Sequence, residues 1–227
     1  MSLANILNIL LAFQMRIMAL DFDGTIVDCR KRQTLLAASL CKAVSLQIDN
    51  DRFWVEKRRG ASTELALRQQ GLDKIAAQKL AKLWIEQCEN DVWLRIDRVF
   101  DGAKTALQCL REVNCEVHLI TARARADALH RQLCWLSIRD FFQAVHVVPP
   151  QGANIHKAEV LRQIRSDVYV GDTESDFVAS RVAGVPFLAV CCGQRSLPFL
   201  RKNTSLDIKA IKKNLLTAVK GILDEKP

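Results

Sequence analysis

Four short clusters in this 227-residue chain hold side chains that can do chemistry. Asp21-Phe22-Asp23-Gly24-Thr25 sets two carboxylates one residue apart, beside a glycine. Thr121-Ala122-Arg123 offers a hydroxyl and a guanidinium, and His156-Lys157 an imidazole and an ammonium. Gly171-Asp172-Thr173-Glu174-Ser175-Asp176 adds further carboxylates. Carboxylates ligate hard cations and carry protons, whereas hydroxyl, ammonium and guanidinium groups hold anions. Taken singly, each cluster has a plainer explanation. Asp-x-Asp and Gly-Asp are common in solvated turns, Thr121 can end a strand, and Lys157 can start a surface helix while His156 points inward. Chemistry requires that the fold bring all four together.

The elements flanking the clusters have the right pattern. Residues 15–20 are mostly apolar, end at Asp21 and read as a buried strand of a parallel sheet. After Asp101-Gly102, helix and strand alternate. Helices are expected over 103–113, 125–136, 157–164 and 175–183, and strands over 115–121, 144–148, 168–171 and 186–190. A last helix is expected over 205–223, with Ile208, Ile211, Leu215, Val219 and Ile222 at three-four spacing. Repeated β-α units imply an α/β fold, a Rossmann-like parallel sheet with helices on both faces and right-handed crossovers. Ligands of such sheets bind beyond the carboxyl ends of the strands. Three of the clusters follow expected strands and His156-Lys157 opens an expected helix.

In this order and setting, the clusters resemble the haloacid dehalogenase (HAD) superfamily of hydrolases over about residues 15–192. Asp21-x-Asp23-Gly24-Thr25 and Gly171-Asp172-x-x-x-Asp176 carry most of the resemblance, with Thr121 and Lys157 where the family has its hydroxyl and its lysine. The resemblance implies a Mg²⁺-dependent phosphatase that acts on a small phosphorylated metabolite. It makes Asp21 the nucleophile that forms an aspartyl-phosphate, and Asp23 the acid and then base. Thr121 and Lys157 would hold phosphoryl oxygens. Asp21, Asp23 (through its carbonyl), Asp172 and Asp176 would form the Mg²⁺ site. Gly24, Thr25, Ala122 and Arg123 would border the substrate. A divalent cation suits this chemistry because a carboxylate and a phosphoryl group repel each other.

Residues 29–99 change character: polar, helical in pattern, with Trp54, Trp84 and Trp93. The resemblance makes this stretch an inserted all-helical cap of the phosphoglycolate phosphatase-like kind, with 1–28 and 100–227 as the α/β core. Its hinges are expected near 27–29 and 98–100. Asp73 should cap a helix whose stripe includes Ala76, Leu80, Leu83 and Trp84, and the tryptophans should pack a small helical core. Arg59, in Arg58-Arg59-Gly60-Ala61-Ser62, is a candidate for binding a substrate anion, with Arg123 and Lys31-Arg32 weaker ones and a solvated loop the plainer reading.

Composition narrows the classes. Hydrophobic residues at 49% supply ample core, which excludes a disordered chain. The net charge of +8 suits an anionic substrate; with one tyrosine and no aromatic-basic interleaving, a nucleic-acid-directed phosphatase or binding protein ranks below it. Asp23 argues against a dehalogenase, whose leaving halide needs no proton. A sugar phosphomutase is disfavoured because His118, His130, His146 and His156 all lie outside 29–99. A protein phosphatase would call for an exposed site. Eight cysteines without C-x-x-C or zinc spacing read as reduced thiols, hence a cytoplasmic protein. The apolar run within residues 1–14 is too short for a membrane span and reads as an added helix or a non-native leader before a start at Met15, ahead of a membrane-surface segment. A monomer or a homodimer is expected.

Overall fold

A computed structural model describes residues 17–224; the expectations for 1–14, and for the first two residues of the opening strand, fall outside them. The chain begins with β1 (Ile17–Leu20) and the short β2 (Val27–Asp28). Five helices follow: α1 (Arg30–Lys42), α2 (Asn50–Arg58), α3 (Thr63–Arg68), α4 (Lys74–Gln87) and α5 (Asp91–Leu94). Then come β3 (Arg98–Val99), α6 (Ala103–Glu112), β4 (Glu116–Ala122), α7 (Ala126–Trp135), β5 (Ala144–Val148) and α8 (Ala153–Gln163). The chain closes with β6 (Val168–Gly171), α9 (Glu174–Ala183), β7 (Phe187–Val190), α10 (Leu197–Asn203), β8 (Ile211–Lys212) and α11 (Leu215–Asp224).

Six strands form one sheet in the order β5-β4-β1-β6-β7-β8, every neighbouring pair parallel. Alternation along the strands supplies both faces. Met18 and Leu20, Val117 and Leu119, and Val168 and Val170 meet Leu107 and Leu110 of α6, Leu129 and Leu133 of α7, and Leu215 and Val219 of α11. The intervening Ala19, Ile120, Tyr169 and Ala189 meet Leu161 of α8, Ala179 of α9 and Leu200 of α10. With apolar side chains on both faces, the strands are covered on each side, as parallel sheets require.

The helices between β2 and β3 have a core of their own: Ala37, Cys41, Phe53, Ala66, Leu67, Ala77 and Leu80, with Leu83 and Trp84 against it. Asp73 accepts from the Ala76 N–H at 2.9 Å and caps α4 as expected. Trp54 is buried, and the Trp84 indole donates to the Gln33 carbonyl at 3.1 Å. The insertion connects to the rest of the chain through β2 and β3, which form a separate two-stranded antiparallel sheet, Val27 with Val99 and Asp28 with Arg98.

The expected helix over 205–223 is incorrect. Ile211 pairs with Ala189 as part of β8, a short turn of 3₁₀ helix covers Ile208–Ala210, and the true helix begins at Leu215. Asn214 marks that start, because its Oδ1 accepts from the Thr217 N–H at 3.0 Å and the Thr217 hydroxyl accepts from the Asn214 N–H at 3.1 Å. The helix expected from 157 begins four residues earlier, so Lys157 lies inside α8 and not at its tip.

Candidate functional site

The carboxyl ends of β1, β4 and β6 bring most of the sequence clusters to one place. Asp21 follows β1 and is nearly buried; its N–H donates to the Val170 carbonyl of β6 at 2.9 Å, which fixes the backbone. Beyond it the chain turns sharply: the N–H groups of Ile26 and Val27 both donate to the Phe22 carbonyl. Gly24 makes this turn with φ +88°, and a Cβ there would overlap the Asp172 carboxylate.

Lys157 reaches in from α8, 5% exposed, and its ammonium donates to Asp21 Oδ1 and Asp176 Oδ1, both at 2.6 Å. Asp176 is the third residue of α9 and completes a capping box with Thr173. Its Oδ2 accepts from the Thr173 N–H and hydroxyl, and its Oδ1 also accepts from the Tyr169 hydroxyl at 2.6 Å. Asp172 is 0% exposed; its Oδ2 accepts from the Gln194 N–H, while its Oδ1 has no partner among the described residues.

Asp21, Asp172 and Asp176 each offer a carboxylate oxygen within 4.8 Å of the others. Burial pushes the Asp21 carboxyl up to about 7, against the pull of Lys157 and with the Asp176 charge adding to the rise. Burial also drives Asp172 well above the carboxylate range, reinforced by Asp21 and Asp176. For Asp176 burial acts in the same sense, but the Lys157 charge and the hydrogen bonds outweigh it and hold the group low. Burial works against the Lys157 ammonium as well, and the two aspartates more than reverse it. Three buried carboxylates facing one ammonium leave negative charge unbalanced, and the Asp172 Oδ1 is an orphaned oxygen. This donor set fits a hard divalent cation.

Asp23 sits apart from that group. Its carboxylate accepts from Arg123 (Nε to Oδ2 at 2.7 Å, Nη2 to Oδ1 at 2.9 Å) and from Arg32 Nη2. Burial would raise this carboxyl, but Arg123 and Arg32 hold it below its ordinary value, ionised. Its backbone carbonyl accepts from Gln194 Nε2 at 3.3 Å.

Thr121 is buried near the end of β4, two positions past Leu119, which pairs with Leu20. Ala122 ends that strand, and the Arg123 N–H donates to the Val148 carbonyl at 3.1 Å. Among the described residues, the hydroxyl of the fully buried Thr25 and the Nη1 of Arg123 have no partner. Arg59 is not drawn into this cluster: its exposed guanidinium pairs with Glu56. Its neighbour Arg58 turns to the core instead, donating to the Cys191 and Arg195 carbonyls.

Several contributors lie outside the sequence clusters. Gln194 ties together the Asp172 carboxylate and the Asp23 carbonyl, and accepts from Gln33 Nε2 of α1 at 3.2 Å. Gly193 packs so closely that a Cβ would overlap Asp172 Oδ2 and the Gly24 carbonyl. Both stand just after β7, so the strand-end rule applied once more would have found them. Asp97 and Gln132 have no such local signal, and Arg32 reads from sequence only as a weaker anion-binding candidate.

The parallel α/β core thus gathers three buried aspartates and a lysine at the carboxyl edge of its sheet. The family model of haloacid dehalogenase-like hydrolases matches residues 18–190, and the chain belongs to that family. A phosphoglycolate phosphatase of Rhodobacter capsulatus is 25% identical over 189 residues, spanning 78% of this chain and 85% of the relative. Among solved structures, a haloacid dehalogenase-like hydrolase from Streptococcus pneumoniae superimposes with a TM-score of 0.72 at 17% identity, covering 91% of this chain and 98% of that one. A hydrolase from Pseudomonas syringae does so with a TM-score of 0.62 at 16% identity, covering 93% and 100%. These two share the fold. Among the described residues no helix is long and apolar enough to cross a membrane.

Proposed function

We propose that the protein is a Mg²⁺-dependent phosphatase that hydrolyses a small phosphorylated metabolite through an aspartyl-phosphate on Asp21. The observation that carries this reading is the excess of buried carboxylate over cation at Asp21, Asp172 and Asp176, with Lys157 between Asp21 and Asp176. The cation would be held by Asp21, Asp172 and the Asp23 carbonyl, with Asp176 acting mainly through Lys157. When bound, it offsets the repulsion between the nucleophile and the phosphoryl group.

An Asp21 carboxylate oxygen attacks phosphorus as the bond to the leaving oxygen breaks, and Asp23 gives that oxygen a proton. Water then attacks the same phosphorus, Asp23 takes its proton, and the Asp21–phosphorus bond breaks to release phosphate. Lys157 and the Thr121 hydroxyl hold phosphoryl oxygens. The ionised Asp23 suits the second step as it stands. For the first, it must take up a proton as a substrate oxygen replaces one of its arginine contacts. Arg123, through its free Nη1, and the segments of Gly24, Thr25 and Ala122 border the substrate. Arg59, with its guanidinium turned outward onto Glu56, would reach a substrate anion only by giving up that pair.

The helical insertion of residues 29–99 acts as a cap over the core of 1–28 and 100–227, shutting water out of the site. The eight unbridged thiols fit a reducing compartment such as the cytoplasm. A panel of phosphoglycolate, sugar phosphates, nucleotides and phosphopeptides tests the reading. Phosphate release on one of the small metabolites should disappear with chelator and in Asp21→Asn. Release that survives either treatment contradicts it.

A further inference from the structure

Beside the aspartate-lysine cluster lies a second closed circuit of charge. Arg32 Nε is shared between the two oxygens of Asp97, at 3.0 and 2.9 Å, and its Nη2 donates to Asp23. Asp97 Oδ2 also accepts from Gln132 Nε2 at 2.8 Å. Gln132 Oε1 accepts from Arg123 Nη2 at 3.3 Å, and Arg123 returns to both oxygens of Asp23. The loop runs Asp23, Arg32, Asp97, Gln132, Arg123 and back to Asp23. Two aspartates balance two arginines, and Arg32, Asp97, Gln132 and Arg123 are all buried.

The circuit's place in the chain gives it a role. Arg32 lies in the first turn of α1, just past β2, and Asp97 immediately precedes β3. Both joints of the helical insertion therefore end in this loop, while Asp23, Arg123 and Gln132 belong to the core. Any swing of the insertion about β2 and β3 pulls on Asp23. The two arginines are also unequal. Arg123 grips both oxygens of Asp23, whereas Arg32 takes only Oδ1. Releasing Arg32 removes one of the two contacts on Oδ1 and leaves the carboxyl anchored at both oxygens by Arg123. Gln132 reaches further into the insertion, donating to the Leu94 carbonyl at 3.3 Å, and Arg32 Nη1 does so to the Cys88 carbonyl at 3.1 Å.

We propose that Arg32, Asp97 and Gln132 are positioning residues that aim the Asp23 carboxyl at the leaving-group oxygen when the insertion is seated. The proposal rests on the reading of Asp23 as acid and base. A proton donor works only when held within a narrow range of distance and angle, and a carboxyl with two free torsions needs backing to stay there. Asp97 and Gln132 supply that backing through the arginines.

Leaving-group dependence tests this, because a general structural defect slows all substrates alike. The best alkyl phosphate needs its leaving oxygen protonated; p-nitrophenyl phosphate leaves as a stable phenolate and does not. Values of kcat/KM report the first phosphoryl transfer. Asp97→Asn should lower kcat/KM for the alkyl phosphate at least about tenfold and leave that for p-nitrophenyl phosphate within about twofold, with Asp23→Asn giving the same split, larger. Gln132→Met, which keeps the volume and removes the bridge, should repeat the pattern and serves if Asp97→Asn does not fold. Equal loss on both substrates, or no loss, in the variant that folds overturns the proposal. If Asp23→Asn shows the split and the circuit variants do not, the positioning role alone fails. If Asp23→Asn shows none while Asp21→Asn is inactive, the acid-base reading fails and takes the proposal with it.

Discussion

The metal-free protein should become more stable when its nucleophile is neutralised. Asp21 is buried, and its carboxyl is raised from 3.8 to about 7 even with Lys157 at 2.6 Å. A group with a raised folded pKa binds more protons folded than unfolded, so stability is full below pH 3.8 and is lost as pH rises through about 7. At about 1.4 kcal/mol per pH unit, the loss amounts to about 4 kcal/mol by pH 8. Asp21→Asn keeps the shape, cannot ionise and leaves Lys157 paired with Asp176. Urea unfolding with chelator, at pH 5 and pH 8, is the assay. Of that loss about 3 kcal/mol falls between pH 5 and pH 8, so the wild type should lose about that much more than Asp21→Asn, and Mg²⁺ should restore the wild type at pH 8 while doing little for the variant. Parallel pH profiles for the two proteins would refute the view that the site stores uncompensated negative charge.

Two further substitutions probe the packing around the site. Gly193→Ala should displace the loop that holds Asp172, costing about 1–3 kcal/mol in urea unfolding and weakening Mg²⁺ binding measured by calorimetry, because the added methyl overlaps Asp172 Oδ2 and the Gly24 carbonyl. Glu89→Ala should loosen the insertion, since the Glu89 carboxylate accepts from the N–H groups of Ala124 and Arg125 at 3.0 and 2.8 Å and ties the α5 end of the insertion to the start of α7. With net hydrogen bonds to a charged group worth about 1.5–3 kcal/mol each, backbone amides of residues 89–97 should exchange at least tenfold faster.

Most of the sheet was legible because buried parallel strands are short apolar runs that end in polar turns, and the aspartates sit in those turns. Asp21, Asp172 and Asp176 needed only the strand-end rule, and β6 over Val168–Gly171 was read to its limits. The tail was misread for a physical reason: the spacing of Ile208, Ile211 and Leu215 satisfies a helix, and nothing local says that Ile211 finds Ala189 on β7 instead. Asn214-x-x-Thr217 was the readable cap. The circuit at Asp23 was out of reach for a different reason. Asp97 and Gln132 look like ordinary polar loop or helix positions, Arg32 reads only as a candidate for a substrate anion, and their contacts span 65 and 35 residues of sequence. Long-range polar pairing leaves no periodic trace. The sequence also does not say which of Arg58 and Arg59 turns inward; Arg58 is the one that reaches the core.

The central claim is that Asp21 carries the phosphoryl group. Rapid acid quench of the enzyme turning over a ³²P-labelled substrate, followed by peptide mapping, tests it most directly. The account predicts a hydroxylamine-sensitive label on the peptide containing Asp21, formed at least as fast as turnover and absent in Asp21→Asn. Label on a different residue, or phosphate released at full rate with no labelled protein, would contradict it.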